Sequence, residues 1–315
     1  MPSPLADPRV AKEAVVSLTI LVFAKQVPDT KNVTGKAMKE DGTVNRAALP
    51  AIFNPEDLEA LETALQLKER FGGRVVVATM GPPAATAILR HALYMGADET
   101  ALITDRKFAG ADTLATSYTL ACAARKIGQF DLILCGRQAI DGDTAQVGPQ
   151  LAEKLALPQL TYVVDVLDIQ KGRLRARTQV DGGYEVVETP LPALLTVVAT
   201  PTPPRPAGAK RLMQYKKAVT RSELLARHSG ATYEDATSLA DEEGRLRTLG
   251  LWIHEWSAAD LEAEPGRIGM AGSPTKVKAI ESVVLTGKKD TVLVPPTAEA
   301  IGSLVHDLVK DHILS

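Results

Sequence analysis

The hydrophobic pattern changes character along the chain. From residue 18 to 136, short unbroken apolar runs alternate with longer segments whose apolar positions recur every three or four residues. The runs are LTILVFA (18–24), RVVVATM (74–80), TALITD (100–105) and FDLILCG (130–136). Such runs, bounded by turn residues, predict strands covered on both faces of a parallel sheet. The segments between them predict helices. NPEDLEALETALQLKER opens with Asn54 as cap, Pro55 at the first helical position and Asp57 three residues after the cap, and Leu58, Leu61 and Leu65 mark one face. AATAILRHALYMGA closes on Gly96, and DTLATSYTLACAARKIG runs from a capping Asp112 to Gly128. This alternation predicts an α/β fold: an open, doubly wound, mostly parallel sheet with right-handed crossovers.

Beyond residue 158 the period drops to two. YVVDVLDIQKGRLRARTQVDGGYEVVETPLPALLTVVAT carries turn signals at Lys171-Gly172 and Asp181-Gly182-Gly183, which predicts antiparallel strands added to the sheet and a final buried strand, LLTVVA. Residues 200–217 are Pro-rich and basic, the composition of an exposed connection. Residues 218–315 show no core of their own. They contain Trp252 and Trp256 and are expected to form an extended arm that needs another surface. The expected division is a tail over 1–17, an α/β domain over 18–200, and a docking loop and arm over 201–315.

Bulk properties narrow the function classes. The length of 315 residues suits one large α/β domain with an appendage. A net charge of −2 gives no basic excess for nucleic acid or anionic lipid, and 4% aromatics leave few platforms for stacking bases. Cys122 and Cys135 form no ligand cluster with the five histidines, so they read as small apolar packing residues in a reducing compartment. The N-terminus lacks a basic leader region and is interrupted by Asp7, Lys12 and Glu13, and no run of about eighteen apolar residues occurs. A cytoplasmic chain is expected, without nucleic-acid partners or direct membrane insertion.

The candidate chemistry lies after the fourth strand, in CGRQAIDGDTAQVGPQLAEKL (135–155). In open α/β sheets ligands bind beyond the carboxyl ends of the strands. Val147, Leu151 and Leu155 mark the next helix, which is expected to start near Asp143 or Thr144 with Asp143 as N-cap. Asp141-Gly142 then makes a tight turn, and Gly148 lets a ligand approach the helix. An anion would be held by free amides from Thr144 to Gly148 and by the Thr144 hydroxyl, with charge from Arg137. The residues equally allow a well-capped connection with no ligand. Neither G-x-G-x-x-G nor a P-loop is present, nor the S-G-G-x-D-S run of ATP pyrophosphatases.

GRQAIDGDTAQVGPQLAEKL resembles the adenine-nucleotide loop of the beta (small) subunit of electron-transfer flavoproteins. VFAKQVPDT, NPEDLEALETAL, VATMGPPAATAILRHALYMGAD and VDGGYEVVETPLPALLTV resemble other segments of that family in the same order, over residues 18–217 and more loosely beyond. The resemblance implies a nucleotide-binding domain over 18–200 and an alpha-subunit partner carrying a redox FAD, with the C-terminal arm packed on it. It also implies electron exchange with a flavoprotein dehydrogenase or quinone oxidoreductase. The family's beta site holds structural AMP or, in the electron-bifurcating branch, a second FAD. Asp141-Gly142-Asp143-Thr144-Ala145-Gln146-Val147-Gly148-Pro149 is similar to the FAD-holding form and departs from D-D-D-x-x-Q-T-G-Q. NPEDLEAL, without the N-P-F-x-E-I form, points the same way.

By the same resemblance Phe23, Ala24, the stretch from Asn54 through Pro55 to Asp57, and Met80 line the nucleotide, as does the stretch from Ala139 to Gly148. The turn formed by Val27, Pro28, Asp29 and Thr30 lies near a flavin. Asn54 and Asp57 also fit plain helix capping, and Met80 fits core packing. The competing functions are a non-redox subunit plugged with AMP and a stand-alone nucleotide hydrolase. No acid, base, nucleophile or metal ligand of the chain is implied. The family's Leu-Pro docking anchor is missing from Ala207 to Met213, so the usual acyl-CoA dehydrogenase partner is not expected. Lys210, Arg211, Lys216 and Lys217 suit either encounter with another redox partner or a solvated linker.

Overall fold

The computed structural model describes residues 17–29, 49–228, 235–275, 293–310 and 313. Residues 1–16 of the expected tail and Thr30 fall outside them. The strands in chain order are β1 (Leu18–Phe23), β2 (Gln26–Pro28), β3 (Ala51–Phe53), β4 (Gly73–Met80), β5 (Glu99–Ile103) and β6 (Leu132–Gly136), then β7 (Gln159–Gln170), β8 (Arg173–Val180), β9 (Gly183–Pro190), β10 (Ala193–Val197) and β11 (His254–Trp256). The helices are α1 (Pro55–Phe71), α2 (Thr86–Met95), α3 (Thr113–Ile127), α4 (Val147–Leu155), α5 (Ala209–Tyr215), α6 (Arg221–Arg227), α7 (Asp235–Thr248) and α8 (Ala298–Lys310).

The apolar runs form the centre of a nine-stranded sheet ordered β11-β5-β4-β1-β6-β10-β7-β8-β9. β1 pairs parallel with β4 and β6, and β4 with β5. Alternate residues of β1 enter opposite cores, which is why its apolar run is unbroken. Leu18, Ile20 and Val22 pack with Leu61 of α1 and Leu89 of α2; Leu21 and Phe23 pack with Ala121 of α3 and Leu151 of α4. Asp112 caps α3 as expected, accepting the N–H of Leu114 at 2.9 Å and of Ala115 at 3.0 Å.

The period-two segment forms the antiparallel ladder β7-β8-β9. Its turns fall at the expected places, with Lys171 (φ 50°), Gly172 (φ 73°) and Gly182 (φ 82°) in the left-handed region. The chain then returns inside the sheet. β10, buried at every position, runs parallel between β6 and β7.

Two expectations are corrected. The basic connection is fastened to the domain: Arg205 pairs with Glu62 (2.8 Å) and Glu69, and Arg211 donates to the carbonyls of Leu93 (2.7 Å) and Ala97 (2.6 Å). Arg211 is therefore a fastening residue, not a free encounter charge. Residues between 218 and 273 also find packing partners within the chain. β11 extends the main sheet beside β5. Trp252 packs with Val219, Leu224 and Leu246, and Ile268 is buried against the α3 side of the sheet. Met270 remains exposed.

The chain divides into two compact units, residues 1–32 with 49–277 and residues 33–48 with 278–315. In the second, α8 exposes Ile301, Leu304, Val305 and Val309. Among the described residues, no helix is long and apolar enough to cross a membrane, and no His, Cys, Asp and Glu side chains group to hold a metal.

Candidate functional site

Strand order reverses between β1 and β6: the chain leaves β1 toward β4 and β5, and leaves β6 toward β10. The loops after β1 and β6 therefore part in opposite directions and leave a crevice at the strands' carboxyl ends. The first turn of α1 fills its floor. Pro55 takes the first helical position as expected, but Asn54 makes no side-chain cap. Its fully buried amide instead donates to the carbonyl of Gln138 (2.8 Å) and accepts the N–H of Ile140 (3.1 Å). Glu56 accepts from Arg137 Nη2 (2.7 Å) and the N–H of Gln138 (2.9 Å). Asp57 accepts the N–H of Lys25 after β1 and of Gly136 at the end of β6, both at 2.8 Å. The capping role allowed for Asn54 and Asp57 thus gives way to bonds that tie α1 to both sides of the crevice.

Burial pushes the Asp57 carboxyl up to about 7; the N–H groups of Gly136 and Lys25 and the Asn54 side chain oppose the rise, and Glu56 adds to it. Cys135 beside it is buried, and burial holds its thiol well above the usual range, which makes it a packing group.

The loop after β6 turns at the carbonyl of Ala139, which accepts the N–H groups of Gly142 (3.2 Å) and Asp143 (2.9 Å). Its carboxylates are engaged within the chain. Asp141 takes Lys25 Nζ on both oxygens at 2.8 Å, and Asp143 accepts Gln138 Nε2 at 2.9 Å. Asp143 is not the N-cap. It sits at φ 48°, and α4 begins only at Val147 with Gln146 before it. The side chain that would have capped the helix is drawn back to Gln138. Ala145 is also left-handed, at φ 51°, and Gln146 Oε1 accepts from Thr113 Oγ1 at 2.9 Å.

This geometry leaves the N–H groups of Thr144, Ala145, Gln146, Val147 and Gly148 without an acceptor among the described residues. The nearby glycines differ in what they serve. A Cβ on Gly148 would lie 2.5 Å from Thr196 Cγ2 and 3.1 Å from Cys135 Sγ, so this glycine seats α4 on the sheet rather than admitting a ligand. A Cβ on Gly142 would meet nothing within 4 Å, and its φ is not left-handed. Neither packing nor backbone conformation of the chain requires a glycine there.

The other expected residues lie around the same end of the sheet. Phe23 and Ala24 are buried at the end of β1, and Met80, at the end of β4, is partly buried against the core. Val27 and Asp29 are not in a free turn: Val27 is buried in β2, which pairs with β3, and Asp29 donates its N–H to the carbonyl of Pro50 at 2.8 Å. Arg137 supplies no free charge, being paired to Glu56 and placed 5.5 Å from the Tyr162 ring centroid. Glu56 lies within the expected range from Asn54 to Asp57, whereas Lys25, Gly136 and Gln138 are not among the residues expected to line the nucleotide. Their signal was the position of Lys25 and Gly136 at the carboxyl ends of neighbouring strands. The donor set of backbone amides and a hydroxyl, in a loop where Lys25 matches the charge of Asp141, fits a phosphate-bearing nucleotide.

Comparison with known proteins gives the same direction. Residues 41–224 match the model of the electron transfer flavoprotein domain. The chain is similar to the electron transfer flavoprotein subunit beta of Clostridium acetobutylicum, 40% identical over 94% of this chain and 100% of that one. It is also 40% identical to the Caffeyl-CoA reductase-Etf complex subunit CarD of Acetobacterium woodii over the same shares. Protein FixA of Bradyrhizobium diazoefficiens is 40% identical over 82% of this chain and 81% of its own.

Proposed function

Since the chain belongs to the electron transfer flavoprotein family, as a relative of its beta subunits, we propose that its switch-point crevice holds FAD and that the chain works with a flavin-bearing alpha subunit in electron bifurcation. The observation that carries this reading is the row of five N–H groups, Thr144 to Gly148, that meet no acceptor among the described residues, in a stretch with two left-handed non-glycine residues, Asp143 and Ala145. Such conformations cost on the order of 1 kcal/mol or more each and persist where the surroundings impose them, commonly at ligand clamps. A row of adjacent donors suits the spread charge of a diphosphate better than one phosphate. Gly142, whose smallness no atom of the described residues uses, leaves room beside it.

FAD would supply the redox chemistry, and the residues of this chain bind and orient it. The amides from Thr144 to Gly148 and the Thr144 hydroxyl take the phosphates. Asn54, Glu56 and Asp57 fix the loop from below, and Phe23, Ala24 and Met80 form the apolar side. The exposed apolar face of α8 supports docking of the C-terminal arm on the alpha subunit. The name of the Acetobacterium relative, a subunit of a Caffeyl-CoA reductase-Etf complex, supports a reductase of a CoA thioester as redox partner, one that docks without the Leu-Pro anchor missing here. The unpaired buried Cys122 and Cys135 suit a reducing cytoplasm.

The test is the nucleotide content of the purified heterodimer after denaturation. Two FAD and no AMP per heterodimer are expected. One FAD with one AMP would replace this reading by a structural AMP site and leave the family membership standing.

A further inference from the structure

Lys25 is held at both ends. Its N–H donates to the buried Asp57 at 2.8 Å, and its side chain reaches across the crevice to both oxygens of Asp141 at 2.8 Å. The loop itself is anchored on either side of that contact. Asn54 and Glu56 hold residues 138–140, and Thr113 holds Gln146. Between these anchors and among the described residues, Gly142 and Asp143 bond only within the loop, and Thr144 and Ala145 to no protein group. Among the described residues, Lys25 is thus the one group outside the loop that bonds to residues 141–145. The row of unpaired amides begins in this same stretch.

We propose that Lys25 is a positioning residue for the bound nucleotide: the Lys25–Asp141 pair straps the loop to the end of β1 and slows nucleotide release, acting through Asp141 and not by touching the phosphates. The Nζ is already matched by a carboxylate, so it offers an incoming phosphate little net attraction while that pair stands. The inference rests on the reading that this loop holds an adenine nucleotide, and it holds for FAD and AMP alike. The side chains are half and one-quarter exposed, so the strap is salt-sensitive and modest in size.

The experiment uses the assembled heterodimer, stripped of nucleotide and reloaded with FAD or, in a parallel arm, AMP. The release rate is followed by dilution and filtration at low and high salt. Lys25→Met and Asp141→Asn are each expected to speed release roughly two- to fivefold at low salt, with the difference shrinking at high salt. The double variant should be no faster than either single one, and the exchange Lys25→Asp with Asp141→Lys should restore much of the slow release. Hydrogen exchange should rise in residues 141–145 of the single variants, a readout independent of the nucleotide. If Asp141→Asn slows release while Lys25→Met speeds it, Lys25 contacts the phosphates directly and the strap is overturned. Unchanged release in both single variants overturns it alone. A heterodimer that takes up neither FAD nor AMP overturns the functional reading and the strap together.

Discussion

Gly136 donates its N–H to the Asp57 carboxylate at 2.8 Å, and a Cβ on Gly136 would lie 2.7 Å from the Asp57 amide nitrogen and 2.7 Å from its Oδ1. The nearest atoms are largely helix backbone, which cannot swing aside. Gly136→Ala must push the first turn of α1 off the end of β6. It is expected to destabilise the protein by about 1–3 kcal/mol and to reduce retained nucleotide. Gly142→Ala has open space and is expected to leave the melting temperature unchanged while weakening nucleotide binding. Melting curves and nucleotide content measured together on both variants check this pair. Equal melting losses at the two positions would contradict it.

Asp57 makes stability depend on pH in an unusual direction for a carboxylate. An ordinary Asp titrates near 3.8, whereas burial raises this one to about 7. Between about pH 4 and 7 the folded protein therefore holds a proton that the unfolded chain has released. Stability falls with rising pH wherever the folded state binds more protons, so this group's contribution declines across that window and levels off above 7. Asp57→Asn removes the slope. It also turns an NH₂ toward one of the two donors, Lys25 N–H or Gly136 N–H, which costs roughly 1–3 kcal/mol at the acid end. The deficit narrows and can reverse as pH rises through 7, because the variant buries no charge there. Melting temperatures of both proteins from pH 4.5 to 8 provide the comparison, and parallel curves would refute the assignment.

The elements read correctly from sequence are those set by local chemistry. The unbroken runs of β1, β4, β5 and β6 reflect burial on two faces, and Asp112 before Leu114 and Ala115 is a cap by side-chain reach alone. What was misread depends on residues far apart in the chain. Asp143 has the composition of a cap, but Gln138 takes its carboxylate and α4 starts later. Asn54 looks like a cap until Gln138 and Ile140, over eighty positions away, claim its amide. β11 is only His254, Glu255 and Trp256, too short for periodicity to reveal, and it exists because β5 offers an open edge. The crevice was legible as a location; the bonds that shape it were not.

Gly148 gives the sharpest division between serving the fold and serving the ligand. Its neighbours at 2.5 Å and 3.1 Å are Thr196 Cγ2 and Cys135 Sγ, on β10 and β6. Gly148→Ala should lift the start of α4 from the sheet and cost about 1–3 kcal/mol, with nucleotide loss following from the displaced amides. Thr196→Ser deletes the closer methyl while keeping the hydroxyl that accepts the N–H of Tyr162 at 3.3 Å. In that background Gly148→Ala is expected to recover much of its stability and its nucleotide, with the Cys135 Sγ contact at 3.1 Å left to adjust. The decisive outcome is the one the pairing does not allow: a Gly148→Ala protein with normal melting, depleted nucleotide and no response to Thr196→Ser would mean that this glycine faces the ligand after all.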